Sequence, residues 1–264
     1  EHRRHRKLVM QPFHGERLKV YGELICNITK KVAATWQVGQ PFSARMSMQR
    51  ITMGVILQAV FGLSQGERYE QLQQSLTRRL DMVASPLASL LIFFPFLSKD
   101  LGDWSPGYRV RRVSEMCDRI IYDEIRDRRR QDTSDRDDVL SLLLAARDEE
   151  GEGLDDTSLR DELMTLLVAG HETTATALTW ALYWIYSRPD IHRRLMEELS
   201  SCDDTDPLAV TRLPYLNAVC NETLRIYPVA ILTFPRRAEQ PLELMGYPIE
   251  PGTLLMGCIY LIHQ

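Results

Sequence analysis

The sequence predicts a mainly α protein with a small β-sheet, organised around one long central helix. Three observations carry that expectation. Apolar residues recur at helical spacing through the first 230 or so positions. Short runs rich in Thr, Leu, Ile and Tyr, set between Gly and Pro turn signals, replace that pattern afterwards. One stretch, 155–187, holds the helical period for about nine turns. On periodicity the helical part covers about 1–228 and the β part about 229–264.

The 264 residues are 44 % hydrophobic and 26 % charged, the balance of an ordinary globular chain. A formal net charge of −4 argues against general nucleic-acid binding. Five cysteines (26, 117, 202, 220 and 258) are odd in number and form no C-x-x-C pair, which points to free thiols in a reducing compartment. No secretory signal is visible, and the chain opens in mid-pattern on EHRRHRK without Met, as if cut there. The longest apolar run, Leu87 to Leu97, is broken by Ser89 and Pro95 and is too short to span a bilayer. The expected location is cytoplasmic, with a membrane anchor before residue 1 left open.

Taken in order, a basic helix ends near Met10, with Pro12 and Gly15 as punctuation. Helices follow at 16–38, 44–62 and 69–84. The apolar segment LASLLIFFPFL (87–97) reads as a core-facing connection or, alternatively, as a lid over an apolar ligand. A charged amphipathic helix spans 105–131, and its tail RDRRRQDTSDRDD (126–138) reads as a solvated loop. A short helix at 139–147 and the turn DEEGEG precede the long one. Helices at 189–200 and 213–226 follow, the last stopped by Pro228. TFPRRA, LELMG and TLLMGCIYLIH then read as strands separated by Gly246-Tyr247-Pro248 and Pro251-Gly252 turns. The last is nearly all apolar, and a bare apolar edge strand is a liability, so further sequence is expected after it.

The long helix is capped by Asp155 or Asp156 and ended by Pro189. Apolar on most sides, it is expected to be buried through the centre of the fold. Its middle is poor helix chemistry: Gly170 costs about 1 kcal/mol against Ala, and Thr173, Thr174 and Thr176 are β-branched. Leu166, Gly170, Thr173 and Ala177 share one face, which leaves a notch at Gly170 with a hydroxyl beside it. Two readings stay open: a close helix–helix crossing, or a functional gap. A zinc protease is excluded, because His171-Glu172 begins like H-E-x-x-H but position 175 is Ala175.

Four short motifs stand out: Ala169-Gly170-His171-Glu172-Thr173-Thr174, Glu222-Thr223-Leu224-Arg225, Pro235-Arg236-Arg237-Ala238 and His2-Arg3-Arg4-His5-Arg6. Singly each is weak; Glu222 and Arg225 alone are an ordinary i,i+3 ion pair. In this order and at these separations the chain resembles the cytochrome P450 family of haem-thiolate monooxygenases. The A/G-G-x-D/E-T-T and E-x-x-R motifs carry the resemblance, which extends over essentially the whole chain.

That resemblance implies a truncated form of the family's fold, with haem b as cofactor and a role for each motif. Gly170, with Ala169, Thr174 and Ala177, would line the pocket for dioxygen and substrate. Thr173 would hold the hydroxyl that helps deliver protons, and Glu172 the acid that relays them from solvent. Glu222 and Arg225 would form a buried pair locking the fold. His2, Arg6 and Arg237 would grip the haem propionates. The family's iron ligand is a Cys in a Phe-x-x-Gly-x-x-x-Cys-x-Gly loop, and none of the five cysteines has that context. No metal ligand is therefore assigned here, and the chain alone is expected to be inactive. Thiolate ligation favours O–O cleavage, chemistry for which these enzymes are the standard example. The parent enzyme would insert one oxygen atom of O2 into an apolar small molecule, with electrons from a ferredoxin or flavoprotein reductase. A haem-thiolate isomerase or dehydratase, or a non-enzymatic all-α binding protein, are the rival readings.

Overall fold

A computed structural model describes residues 9–10, 17–84, 102, 105–133, 135–202 and 206–263. The segment 87–97, read from sequence as connection or lid, lies outside the described residues. The chain divides into two compact units, Glu1–Glu172 and Thr173–Gln264. The division runs inside the long helix, not at the change of period near residue 228.

The first unit is helical. It contains α1 (Arg17–Ala33), α2 (Ala44–Phe61), α3 (Glu67–Ala84), α4 (Pro106–Arg129), α5 (Val139–Ala145) and the first half of α6 (Asp156–Ser187). The chain places its caps by local chemistry. Ser43 accepts from the Met46 N–H, Ser105 from Tyr108, Asp138 from Ser141 and Asp155 from Ser158, each satisfying an orphan donor of a first turn. Gly62, at φ +65°, ends α2 in the left-handed conformation that glycine adopts without Cβ strain. Helix α1 stops at Ala33 rather than running to 38. Ala34 bonds back to Lys30, and Trp36 leaves the helix to stack on Phe42 with ring centroids 4.7 Å apart.

The core of this unit joins Leu57 and Phe61 of α2, Leu72 and Leu76 of α3, Ile121 and Ile125 of α4, Leu140 and Leu143 of α5, and Leu159 and Leu163 of α6. Its most enclosed helix is α2, whose buried residues (47, 48, 51–54, 57, 60 and 61) run round every side. At Gly54 the missing side chain admits Ile28 of α1; an added Cβ would sit 3.2 Å from Ile28 Cγ2.

Helix α6 corrects the expectation of a helix buried all round. Its buried positions form one stripe, Leu159, Leu163, Met164, Leu167, His171 and Ala175, while Val168, Leu178, Tyr183 and Tyr186 are exposed. Apolar composition lets a helix be buried, but burial also needs a partner on each side, and among the described residues of α6 only that stripe is fully buried.

The second unit holds the rest of α6, then α7 (Pro189–Ser200), a 3-10 turn (Ala209–Arg212) and α8 (Pro214–Ile226). Glu198 of α7 caps α8 from outside: its two carboxylate oxygens accept the N–H groups of Tyr215 and Leu216, both at 2.8 Å. Trp180 of α6 stacks flat on Tyr227 at 4.0 Å. The β part is two small antiparallel pairs, not one sheet. Strand β1 (Arg236–Arg237) pairs with β4 (Leu254–Leu255), and β2 (Leu242–Leu244) with β3 (Tyr247–Ile249). Met245 and Gly246, at φ 52° and 83°, make the tight hairpin turn. The expected last strand is mostly something else. Cys258 makes only a bridge to Leu232, and Ile259–Ile262 (α9) is one helical turn, with the Ile262 N–H bonded to the Cys258 carbonyl.

Candidate functional site

The motif of α6 meets α2 residue by residue. Arg45, Gln49, Thr52 and Ile56 recur at steps of four, three and four and so share one face of α2. Arg45 ion-pairs with the Glu172 carboxylate, and Gln49 Nε2 donates to Glu172 Oε2 at 3.0 Å. Thr52 Oγ1 and His171 Nδ1 lie 2.8 Å apart in a buried contact. Ile56 Cδ1 occupies the space beside Gly170, where an added Cβ would overlap it.

This contact changes the reading of the notch. Within the first unit the Ile56 side chain occupies the gap at Gly170, so a larger residue there would require that flexible Cδ1 to move. Glu172 is a carboxylate 30 % exposed, held by two side chains of a second helix. Sequence reasoning missed Arg45, Gln49 and Thr52. Their signal was present as three polar residues at helical spacing on one face of α2.

His171, the variable position of the motif, is 5 % exposed. Burial holds its imidazole below the ordinary value, and the Glu172 carboxylate pulls it part of the way back. Beside it a cavity of about 250 Å³ is lined by Met46, Gln49, Arg50, Gln73, Thr77 and His171, among others.

In the second unit, Thr173 and Thr174 are exposed on α6 and Ala177 is half-buried, while Ala169, in the first unit, is also exposed. Arg225 grips Glu222 with Nε and Nη2, each 2.8 Å from a carboxylate oxygen, and Nη1 donates to the His263 carbonyl. The pair is exposed, 47 % and 55 %, and does not have the burial that the family resemblance implied. Thr223 is the buried residue of α8, and the 222/225 side faces away from it. The guanidinium of Arg225 holds the Glu222 carboxyl below its usual range.

His2 and Arg6 lie outside the described residues. Arg237 is exposed on β1 and makes no ion pair among the described residues. Ile231 (62 % exposed) and Phe234 (86 %), near it in sequence, and Leu254 (64 %), its register partner on β4, present apolar surface. A free guanidinium among exposed apolar side chains suits an apolar group that carries a carboxylate. None of the five cysteines is in a disulfide. No group of three or more potential metal ligands occurs among the described residues, and no helix among them is long and apolar enough to cross a membrane.

Comparison with known proteins accounts for the whole length. The Cytochrome P450 family model matches residues 1–264. Cytochrome P450 137 of Mycobacterium tuberculosis is 35 % identical over 265 residues, covering 100 % of this chain and 53 % of that protein. Cytochrome P450 135B1 of Mycobacterium bovis is 35 % identical over 263 residues, covering 99 % and 54 %. The chain thus spans about half the length of these relatives. Among solved structures, a retinoic acid-bound cyanobacterial CYP120A1 superposes with a TM-score of 0.82 at 24 % identity, covering 99 % of this chain and 57 % of that one. The haem domain of cytochrome P450DA gives 0.77 at 23 %, covering 98 % and 56 %.

Proposed function

This chain belongs to the cytochrome P450 family, and from that premise we propose that the whole protein is a haem-dependent monooxygenase acting on an apolar organic substrate. Members of the family bind haem b, and that cofactor supplies the activation of dioxygen. The observation that carries the reading is the state of Glu172. Its carboxylate sits on the long helix immediately before Thr173, held in place by Arg45 and Gln49 yet 30 % open to solvent.

An acid in that condition can exchange protons with water, because it is wet, and can be returned to one place, because two donors hold it. Thr173, next along the same helix and exposed, offers a hydroxyl that both accepts and donates. Arg237 would hold a propionate, since its guanidinium is uncommitted among the described residues and its neighbours are apolar. The exposed Ile231, Leu232 and Phe234 favour an apolar substrate. Electrons would come from a ferredoxin or flavoprotein reductase. The 264 residues contain no Phe-x-x-Gly-x-x-x-Cys run, so the axial thiolate would come from elsewhere in the intact protein.

The test is haem uptake and oxygen-dependent product formation by the intact protein. We expect a thiolate-type carbon monoxide band on reduction, and none from the 264 residues alone. E172Q should lower product formation by about 10²-fold, the ordinary worth of a positioned acid, with haem content unchanged. An intact protein that takes up no haem, or turns over fully as E172Q, overturns the reading.

A further inference from the structure

His171 has no part in the chemistry described so far, yet it is the buried residue nearest the Glu172 carboxylate. Its ring is fixed from one side only. Nδ1 lies 2.8 Å from Thr52 Oγ1, and Thr52 is itself anchored by a 3.2 Å bond to the Gln49 carbonyl. That leaves Nε2 directed towards Glu172, 4.0 Å from Oε2. The distance is too long for a hydrogen bond and short enough for strong electrostatic coupling in a partly buried place. The charged groups around the ring, among the described residues, are Glu172 on α6 and Arg45 and Arg50 on α2; α3 contributes the uncharged Gln73 and Thr77 to the cavity wall. Gln49 belongs to both ends of the arrangement, since its side chain holds Glu172 and its carbonyl anchors Thr52.

We propose that His171 is a positioning residue for Glu172: the Thr52-fixed imidazole, together with the Arg45 ion pair, sets the resting place of that carboxylate. Neutral, the ring leaves Glu172 to Arg45 and Gln49. Protonated, it offers a second cation 4.0 Å away, drawing the carboxylate off Arg45 towards the cavity side of the helix. The cavity of about 250 Å³ gives solvent a way to the imidazole. Use of this arrangement in proton delivery rests on the monooxygenase reading; the coupling itself does not.

The experiment is a 15N-imidazole NMR titration of the chain, with H171Q used to assign the His171 signals. E172Q and R45Q alter side chains that are 30 % and 55 % exposed, so both variants should fold. E172Q should move the His171 titration to lower pH, because the anion that favours imidazolium is gone. R45Q should move it to higher pH, because the carboxylate is then unshared. T52V should change the Nδ1 shift and the tautomer balance. A histidine that only fills space would lose stability in T52V while titrating alike in E172Q and R45Q. Titrations that coincide, or that move in the same direction in both variants, overturn the proposal. If the opposed shifts appear but the intact protein takes up no haem, the assigned function falls and the coupling stands.

Discussion

Two arginines, each gripping a carboxylate one helical turn back on its own helix, behave as opposites. Arg128 on α4 is 2 % exposed and is tied to Glu124 (2.6 Å), Asp138 (2.6 and 2.8 Å), Ser141 Oγ (2.7 Å) and the Phe61 carbonyl (2.7 Å). Arg225 on α8 is 47 % exposed and holds Glu222 and one carbonyl. The spacing differs by one residue, i,i+4 against i,i+3, but the larger difference is the dielectric. Around Arg128 each partner is desolvated, so every bond must be made; around Arg225 water competes for both charges. The buried cluster also spans more of the fold. It ties the end of α2 to α4 and to the cap of α5, while Arg68 of α3 reaches Glu124 and Asp127 at 2.8 Å. Its one loose end is Arg128 Nε, buried without a partner.

The sharpest way to test this contrast is R128M. Glu124 and Asp138 would remain buried, with Arg68 and Arg136 as their remaining cations, and breaking a buried pair costs about 3–5 kcal/mol. Urea unfolding should show a loss of that size, and a loss under 1 kcal/mol would mean that the cluster is wetter than its burial indicates. D138N comes next. Asn can still cap α5, but it neutralises an acceptor of charge-assisted bonds worth about 1.5–3 kcal/mol, so a loss of roughly 2 kcal/mol is expected by the same measurement.

Acid provides a third comparison. Burial works to raise the Asp138 carboxyl, but Arg136, the Ser141 N–H and Arg128 outweigh it and hold the group below its usual range. Its stabilisation is therefore complete above the unfolded carboxylate value of about 3.9 and is lost as pH falls through the lower folded value. His171 is also held low, so the unfolded chain binds its proton first. Stability should begin to fall below about pH 6.5, a step that H171Q removes; the later step below about pH 4 should be missing in D138N. The smallest effect belongs to R225Q. An exposed pair screened by water and salt should leave the urea midpoint nearly unchanged, and a large drop would show that Arg225 is covered in the intact protein.

Much of this was legible beforehand, and the misses are informative. Helices 44–62 and 189–200 were placed by Gly62 and Pro189, because a left-handed cap and a fixed φ act locally. The A-G-x-E-T-T and E-x-x-R motifs identified the family that the comparisons show. Yet the tail 126–138 was read as solvated loop, and it holds Arg128 and Asp138, the buried centre of the cluster. A run of charges looks the same in sequence whether its partners are waters or the ends of other helices. Glu222 and Arg225, for which the family resemblance implies burial, lie on a helix face that no described residue covers. Ile259–Ile262 read as strand because four apolar residues with no polar alternation fit either period.

Sequence by itself determined the helix from Ala44, the one opened by Pro189, the end of the helix before Pro228, and the family, since each depends on residues close in the chain or on a motif's identity. Tertiary structure alone decided that Ile56 fills the space at Gly170, that Arg45 and Gln49 hold Glu172, and which arginine is buried. Those outcomes depend on which helix lies against which. A side chain 127 residues away along the chain leaves no mark in the local pattern of the residue it will hold.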